Sequence, residues 1–423
     1  MNTLRWPVEG EALLDTTLPP RPAVPRRVGP PPGRASDAPE PGAASVLRRA
    51  RPDIFGPVSS LLRWSVIVPA RNEEEALPRL VAALDAQAFP ASGEAADARP
   101  PRPASPSPFA TGEAEAIVLL NNCTDRSEAV LAGLAASRPW LRWRHVRLAA
   151  PEAHVGRARQ IAMDAACARL LRAGNRGGAI LSTDADTAPA PDWIAQTAAE
   201  VSRGADAVGG RAMLPAGERA SLAPGVRRFY LLDLAYRRAL EELRGLYAPE
   251  PHDPLPRHHH HFGASLAVTA EAYARAGGLP AIRTSEDAAL VDALLGTGAR
   301  LRHSPAVRVR TSARATGRAS GGLADAFAWW AGEDAAGREP MVEPAAAAER
   351  RLAALGVFAA ARPECPPPHA LRATPEPTPE AQETITGCIA GLRRRIAALR
   401  ALTPSDRLLR ARRLARRPVP ALL

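Results

Sequence analysis

The chain has 423 residues, enough for one large domain with extensions or for two domains. Hydrophobic residues make up 46% and aromatics only 4%, so any sizeable core must be built from Ala, Leu and Val. The net charge is +11 and every basic side chain is Arg, with no Lys. A GC-rich coding bias is one reading of that choice, and a functional demand for Arg is the other. Arg also binds phosphate oxygens bidentately, so the excess suits a phosphorylated ligand, an anionic membrane surface or nucleic acid. The Arg-rich stretches lack interleaved aromatics, which argues against nucleic acid. Cys123, Cys167, Cys365 and Cys388 lie far apart, against a disulfide framework or a paired zinc site and in favour of a reducing, cytoplasmic compartment. Residues 1–50 carry no apolar signal-like run, and no stretch of 18 uncharged apolar residues occurs.

Residues 1–58 are Pro- and Arg-rich without periodicity and are expected to form a disordered arm. A first domain is expected over 59–335. Its opening strand is Trp64-Ser65-Val66-Ile67-Val68-Pro69, and Asn72 with Glu75 predicts a capped helix running to about Gln87. Residues 89–112 have the low complexity of a flexible insertion. A strand at Ala116–Leu120 leads to the turn Asn121-Asn122-Cys123-Thr124-Asp125. A helix (125–137), a strand (141–148), a helix (156–173) and a strand (179–183) follow. Strands alternating with helices predict an α/β fold, a single doubly wound, mostly parallel sheet with helices on both faces. Ligands bind at the carboxyl ends of such strands, where the turns after Pro69, Leu120 and Thr183 open.

Further on, a helix (190–203), a strand (206–212), a long helix (226–246), a strand after His258–His261, a helix (286–296) and two short strands (299–303, 306–311) complete the domain. Residues 336–380 read as a Pro/Ala-rich linker with room for one helix. Residues 381–423 read as a basic helical extension, in which Leu392, Ile396, Leu399, Leu402, Leu408, Leu409 and Leu414 alternate with Arg. That helix either lies on an anionic membrane or packs on the domain.

Asp184-Ala185-Asp186, at the end of a buried strand, puts two carboxylates within reach of one hard cation, Mg2+ or Mn2+. An isolated pair of this kind more often closes an Asx turn. Ser285-Glu286-Asp287 starts a helix and offers a general base, although acids at helix starts are favoured anyway. Val155-Gly156-Arg157-Ala158-Arg159 opens a helix whose free N–H groups suit phosphate or simply form a basic first turn. Among the four consecutive His, His260 is a further candidate metal ligand if the stretch is extended; a surface loop is the other reading.

Taken in order, SVIVPARNEEEAL (65–77), VLLNNCTDRS (118–127), GRARQIAMDAA (156–166), ILSTDADTAPAPDWI (180–194), AVGGRAML (207–214), FGASLAVTAEAYARAGGLP (262–280) and TSEDAALVDALLGTGARLRHSP (284–305) resemble family 2 glycosyltransferases of the GT-A fold. The resemblance spans about residues 63–320. It implies inverting, metal-assisted sugar transfer from a nucleotide-diphosphate donor to an acceptor hydroxyl. Pro69, Arg71 and Glu73 match the nucleotide-pocket segment, Arg159 the basic residue near the donor, and Asp184 and Asp186 the metal motif. Asp287 matches the catalytic base, with Glu286 beside it, and Gly263 and Gly278 match glycines near the acceptor. Leu120 and Asn121 stand where the family often has two acids. Asn121 can still bond a base edge, so the donor need not be a uridine diphosphate sugar. The late motif of processive synthases is absent, and Arg314 and Arg318 lie in its neighbourhood. A single transfer, to a soluble acceptor or one at the inner membrane face, is expected. Nucleotidyl transfer, or binding without transfer, are the alternatives; the first lacks its Gly-rich phosphate loop.

Overall fold

The computed structural model describes residues 41–89, 106–314, 317, 322–362 and 381–415. Strand β1 (Trp64–Ala70) is its centre, and every residue after Trp64 is buried. A β-branched run covered on both faces is what an inner parallel strand requires. β1 pairs in parallel with β2 (Ala114–Asn121) and β4 (Ala179–Ser182), and β2 pairs in parallel with β3 (Leu141–Val146). Beyond β4, β7 (Leu266–Thr269) runs antiparallel to β4 and to β6 (Ala207–Met213). β8 (Leu301–Thr311) runs parallel to β6, and β5 (Thr187–Pro189) closes the edge antiparallel to β8. The order is β3-β2-β1-β4-β7-β6-β8-β5, so only β5 and β7 run against the other six strands. The mostly parallel sheet expected from the sequence is therefore present. The two expected strands after residue 299 are one strand, with a register shift at Gly210/Arg211 on its partner.

Alternate residues of the inner strands feed two cores. Ile67, Ile117 and Ile180 face α4 (Val155–Arg172), α8 (Ala270–Arg275) and α9 (Glu286–Gly296). Val66, Val68, Val118 and Leu181 face α2 (Leu77–Asp85), α3 (Ser127–Ala135) and α5 (Trp193–Ser202). Burial of these aliphatic side chains on both faces, at about 1.5–3 kcal/mol apiece, drives this layering. Gly156 is required at the start of α4, because a Cβ there would lie 1.9 Å from the carbonyl oxygen of Ile282.

The arm expected over 1–58 is corrected where the structure describes it. α1 (Pro41–Arg49) and the turn Pro52–Phe55 pack on the domain, with Val46 and Phe55 buried in the first core. Arg49 Nε donates to Asp164 Oδ2 at 2.9 Å, and the fully buried Arg169 donates to Glu115 and to the carbonyls of Pro52, Gly56 and Pro57. Nine residues are too few to show a helical period, and the partners lie more than 100 residues away. Residues 1–40 lie outside the described residues. The insertion is likewise ordered at its end, where Phe109 packs on Trp140 with ring centroids 4.3 Å apart; residues 90–105 lie outside the described residues.

The linker is corrected in its described part, and the basic extension forms two helices that pack on the protein. A short α6 (Ala216–Ala220) precedes the long α7 (Pro224–Tyr247). One end of α7 meets α10 (Leu323–Ala335) through Tyr230, Phe327 and Trp330. The other end packs with α11 (Ala345–Ala361), α12 (Ile385–Arg400) and α13 (Pro404–Ala415) into a third core. The two-residue strands β9 (Met341–Val342) and β10 (Glu383–Thr384) pair beneath it. Leu392, Ile396 and Leu399 are buried there, so the apolar face of α12 is used within the protein, while Leu409 on α13 stays exposed. Glu349 accepts from Tyr247 Oη, Arg395 and Arg410, which ties the layers together. Residues 363–380, with Cys365, and 416–423 lie outside the described residues. Among the described residues no helix is long and apolar enough to cross a membrane.

Candidate active site

Three loops leave the carboxyl ends of β1, β2 and β4 on one edge of the sheet. The first two lock together. Asn72 sits at φ 55° and its Oδ1 accepts from Thr124 N at 2.8 Å, while Glu73 N donates to Ser127 Oγ at 2.8 Å. Asn72 is thus not a helix cap, and α2 begins only at Leu77. Pro69 is buried in β1, and Arg71 at the rim donates to Ala153 O at 3.2 Å. Asn121 ends β2: its Nδ2 donates to His154 O at 3.4 Å, and its buried Oδ1 has no hydrogen-bond partner among the described residues.

The third loop carries Asp184 and Asp186. Thr187 N donates to Asp184 O at 3.1 Å, closing a tight turn that projects both carboxylates from the strand end. Burial, then the neighbouring charge of Asp184, hold the Asp186 carboxyl up at about 6. Each aspartate has one arginine. Arg314 contacts Asp186 Oδ2 at 3.0 Å and both oxygens of the buried Glu73 at 3.0 Å. Arg159, on the second turn of α4, contacts Asp184 Oδ1 at 2.8 Å and Glu286 Oε1 at 3.1 Å.

On the far side of Arg159, Ser285 takes φ 58° and starts α9. This is a left-handed entry rather than a capping box. Glu286 points inward and is buried, and Asp287 is half-buried with Oδ2 accepting from Gly263 N at 2.9 Å. Burial raises both carboxyls above the ordinary range, against the opposing pull of Arg159. Five carboxylates (Glu73, Asp184, Asp186, Glu286, Asp287) therefore share two guanidinium groups. An acidic excess with raised carboxyls fits a divalent cation plus a phosphorylated ligand, whose charges it would complement. Asp184 and Asp186 are the pair whose chemistry suits the ion. Among the described residues no third His, Cys, Asp or Glu joins them, so a cation there would rely on ligand and water oxygens for its other positions.

Four expectations change. His258–His261 is not a strand. His260 Nδ1 accepts from Ala212 N at 3.1 Å, and its ring packs on His258, His259 and Phe262, not with the aspartate pair. Gly278 sits at φ 86° against Arg49, Asp164 and Val46, beside α1 rather than on the acceptor side. The start of α4 is not an open phosphate site: His154 Nδ1 accepts from Arg157 N, and Gly156 is covered by Ile282. Arg159 is 4% exposed and spends its donors on protein atoms rather than on the donor pocket. Its partners come from three segments, and no local pattern reveals that. Arg318 lies outside the described residues.

Residues 65–246 match the family model described as Glycosyl transferase family 2. The chain carries a family 2 glycosyltransferase domain. The aspartate pair, Glu73 and Arg159 fall inside the matched segment of this glycosyltransferase, and Asp287 follows it. Among solved structures it is similar to the mannosyltransferase PcManGT from Pyrobaculum calidifontis in complex with GDP-Man and Mn2+. Identity is 17%, covering 89% of this chain and 87% of that one, with a TM-score of 0.42. It is also similar to S. aureus TarS 1-349, at 15% identity over 70% of this chain and 66% of that one, TM-score 0.36. A third is glucosyl-3-phosphoglycerate synthase from Mycobacterium tuberculosis, at 18% identity over 60% and 73%, TM-score 0.33. No match was found among curated proteins.

Proposed function

We propose that this glycosyltransferase moves a sugar from a nucleotide-diphosphate donor to an acceptor hydroxyl with inversion at the anomeric carbon. The observation that carries the reading is the convergence of Asp184, Asp186 and Asp287 on one sheet edge, where Asp184 and Asp287 are joined through Arg159 and Gly263. Asp287 accepts the acceptor's proton as the acceptor oxygen bonds to the anomeric carbon. The bond from that carbon to the diphosphate oxygen breaks, and the nucleoside diphosphate leaves with the electron pair. Asp287 suits this role because burial raises its carboxyl while Gly263 N and Ala288 N orient its two oxygens. Glu286 is committed to Arg159 and does not serve as the base. Asp184 and Asp186 would hold Mg2+ or Mn2+, which supplies charge stabilisation to the departing diphosphate. The unpartnered Oδ1 of Asn121 is a hydrogen-bond acceptor for an N–H of the nucleotide base, alongside Pro69, Arg71 and Glu73.

The exposed Arg393, Arg394, Arg412 and Arg413 support peripheral contact with an anionic membrane, through charge and without insertion of the buried leucines. Thermal shift against nucleotide sugars, with Mn2+ or chelator, tests the donor and metal reading. A selected donor should raise the melting temperature only with the metal, and transfer should stop in chelator and return with Mn2+. Metal-independent turnover would overturn it.

A further inference from the structure

We infer that Arg159 is a positioning residue that couples the metal-binding aspartate to the base loop, a role distinct from donor binding; the inference rests on the metal reading of Asp184. The guanidinium is a hub of four hydrogen bonds. Nη2 donates to Asp184 Oδ1 at 2.8 Å, Nε to Glu286 Oε1 at 3.1 Å, and Nη1 to Ser182 Oγ at 2.5 Å and Gly263 O at 3.2 Å. Ser182 Oγ donates to the same Gly263 carbonyl at 2.9 Å, and the Gly263 N–H donates to Asp287 Oδ2 at 2.9 Å.

One unbroken path thus runs from Asp184 through Arg159 and the Gly263 peptide to Asp287. Residue 263 is Gly for this reason rather than to leave room for an acceptor, since a Cβ would lie 2.5 Å from Arg159 Cζ. Glu286 anchors the other side, so the two neighbours at the start of α9 have different jobs. One holds the strut, and the other faces the chemistry.

With a cation at Asp184, the buried Arg159 guanidinium would share that carboxylate with a second positive charge and be repelled by it. Arg159 then leans on its remaining acceptors, Glu286 and the Gly263 carbonyl. That fixes the Gly263 peptide, and with it the orientation of Asp287, once the metal has arrived. Lys at 159 keeps the charge but has no planar fork to reach Asp184, Glu286 and Gly263 together.

The test is hydrogen–deuterium exchange by the full-length protein, read on a peptide spanning 258–268, with Mn2+ alone as the probe and Mn2+ binding followed in parallel by electron paramagnetic resonance. Bound Mn2+ should slow Gly263 exchange at least about fivefold, the lower end of an ordinary coupling between sites. Arg159→Lys should bind Mn2+ and lose the slowing. Ser182→Ala, a milder change that keeps the ion pairs, should reduce it. Mn2+ bound by the wild type with unchanged exchange would overturn the coupling and leave the metal site standing, as would both variants responding like the wild type. No Mn2+ binding at all would overturn the metal reading and the coupling together.

Discussion

Asp287→Asn separates chemistry from folding. Asp287 Oδ2 accepts from Gly263 N at 2.9 Å and Oδ1 from Ala288 N at 2.7 Å. The amide keeps one acceptor and turns the other into a donor that faces a backbone N–H. One lost hydrogen bond in a half-buried place costs about 1–3 kcal/mol of stability, so the variant stays folded. Its effect on turnover is larger. Removing a general base lowers rate by about 10²–10⁴-fold, or about 3–5 kcal/mol of barrier. The donor contacts lie on other loops, so donor affinity should be unchanged. The assay is transfer from the donor selected by thermal shift, with donor Kd by calorimetry and a melting curve by circular dichroism. Wild-type transfer should also fall on acidification, at a pH above the ordinary aspartate range, because burial raises the Asp287 carboxyl and the protonated acid cannot accept the acceptor's proton. A variant that turns over within about tenfold of wild type, below the smallest effect a working base gives, would refute the assignment.

Three further outcomes follow from the packing. Asp253 is fully buried, and His303, Arg257 and Arg302 hold its carboxyl far below the usual range. Its stabilising effect is complete above about pH 4 and is lost as pH falls from there toward its depressed value. Asp253→Asn should therefore cost about 3–5 kcal/mol at pH 7 by removing the buried anion that Arg257 and Arg302 share, leaving them only Glu241 and Glu200, and should flatten the acid limb of a urea-midpoint profile. Arg169→Ala strands Glu115 and three carbonyls of the 52–57 segment, so a loss of about 3–5 kcal/mol is expected in urea melts, with early proteolysis before β1. Leu392→Ala, in the core of the C-terminal helices, should cost about 2–5 kcal/mol by calorimetry, whereas Leu409→Ala, half-exposed on α13, should stay within about 0.5 kcal/mol.

The sequence by itself determined the layered α/β sheet and the aspartate pair at its edge, because both are written in short-range pattern. Val66-Ile67-Val68 and Ile117-Val118-Leu119-Leu120 are buried runs with period two on each face, and Asp184 follows directly on one of them. The start of α9 at Glu286 was legible for the same reason. Only the tertiary structure decided what the charged residues do. Arg159, Ser182, Gly263 and Glu286 are spread over more than 100 residues, and their shared hub exists because β4, the turn before β7 and the starts of α4 and α9 meet at one edge. Arg314 and Glu73, 241 positions apart, meet for the same reason. The His258–His261 stretch shows the limit most plainly: its composition suggested metal, but its irregular backbone commits His260 to Ala212 N and His258 to Ser304 O. The segments before β1 and at 336–362 are hard to read alone because small apolar residues such as Ala43, Ala348 and Ala353 carry little local signal. They become core only when another helix covers them.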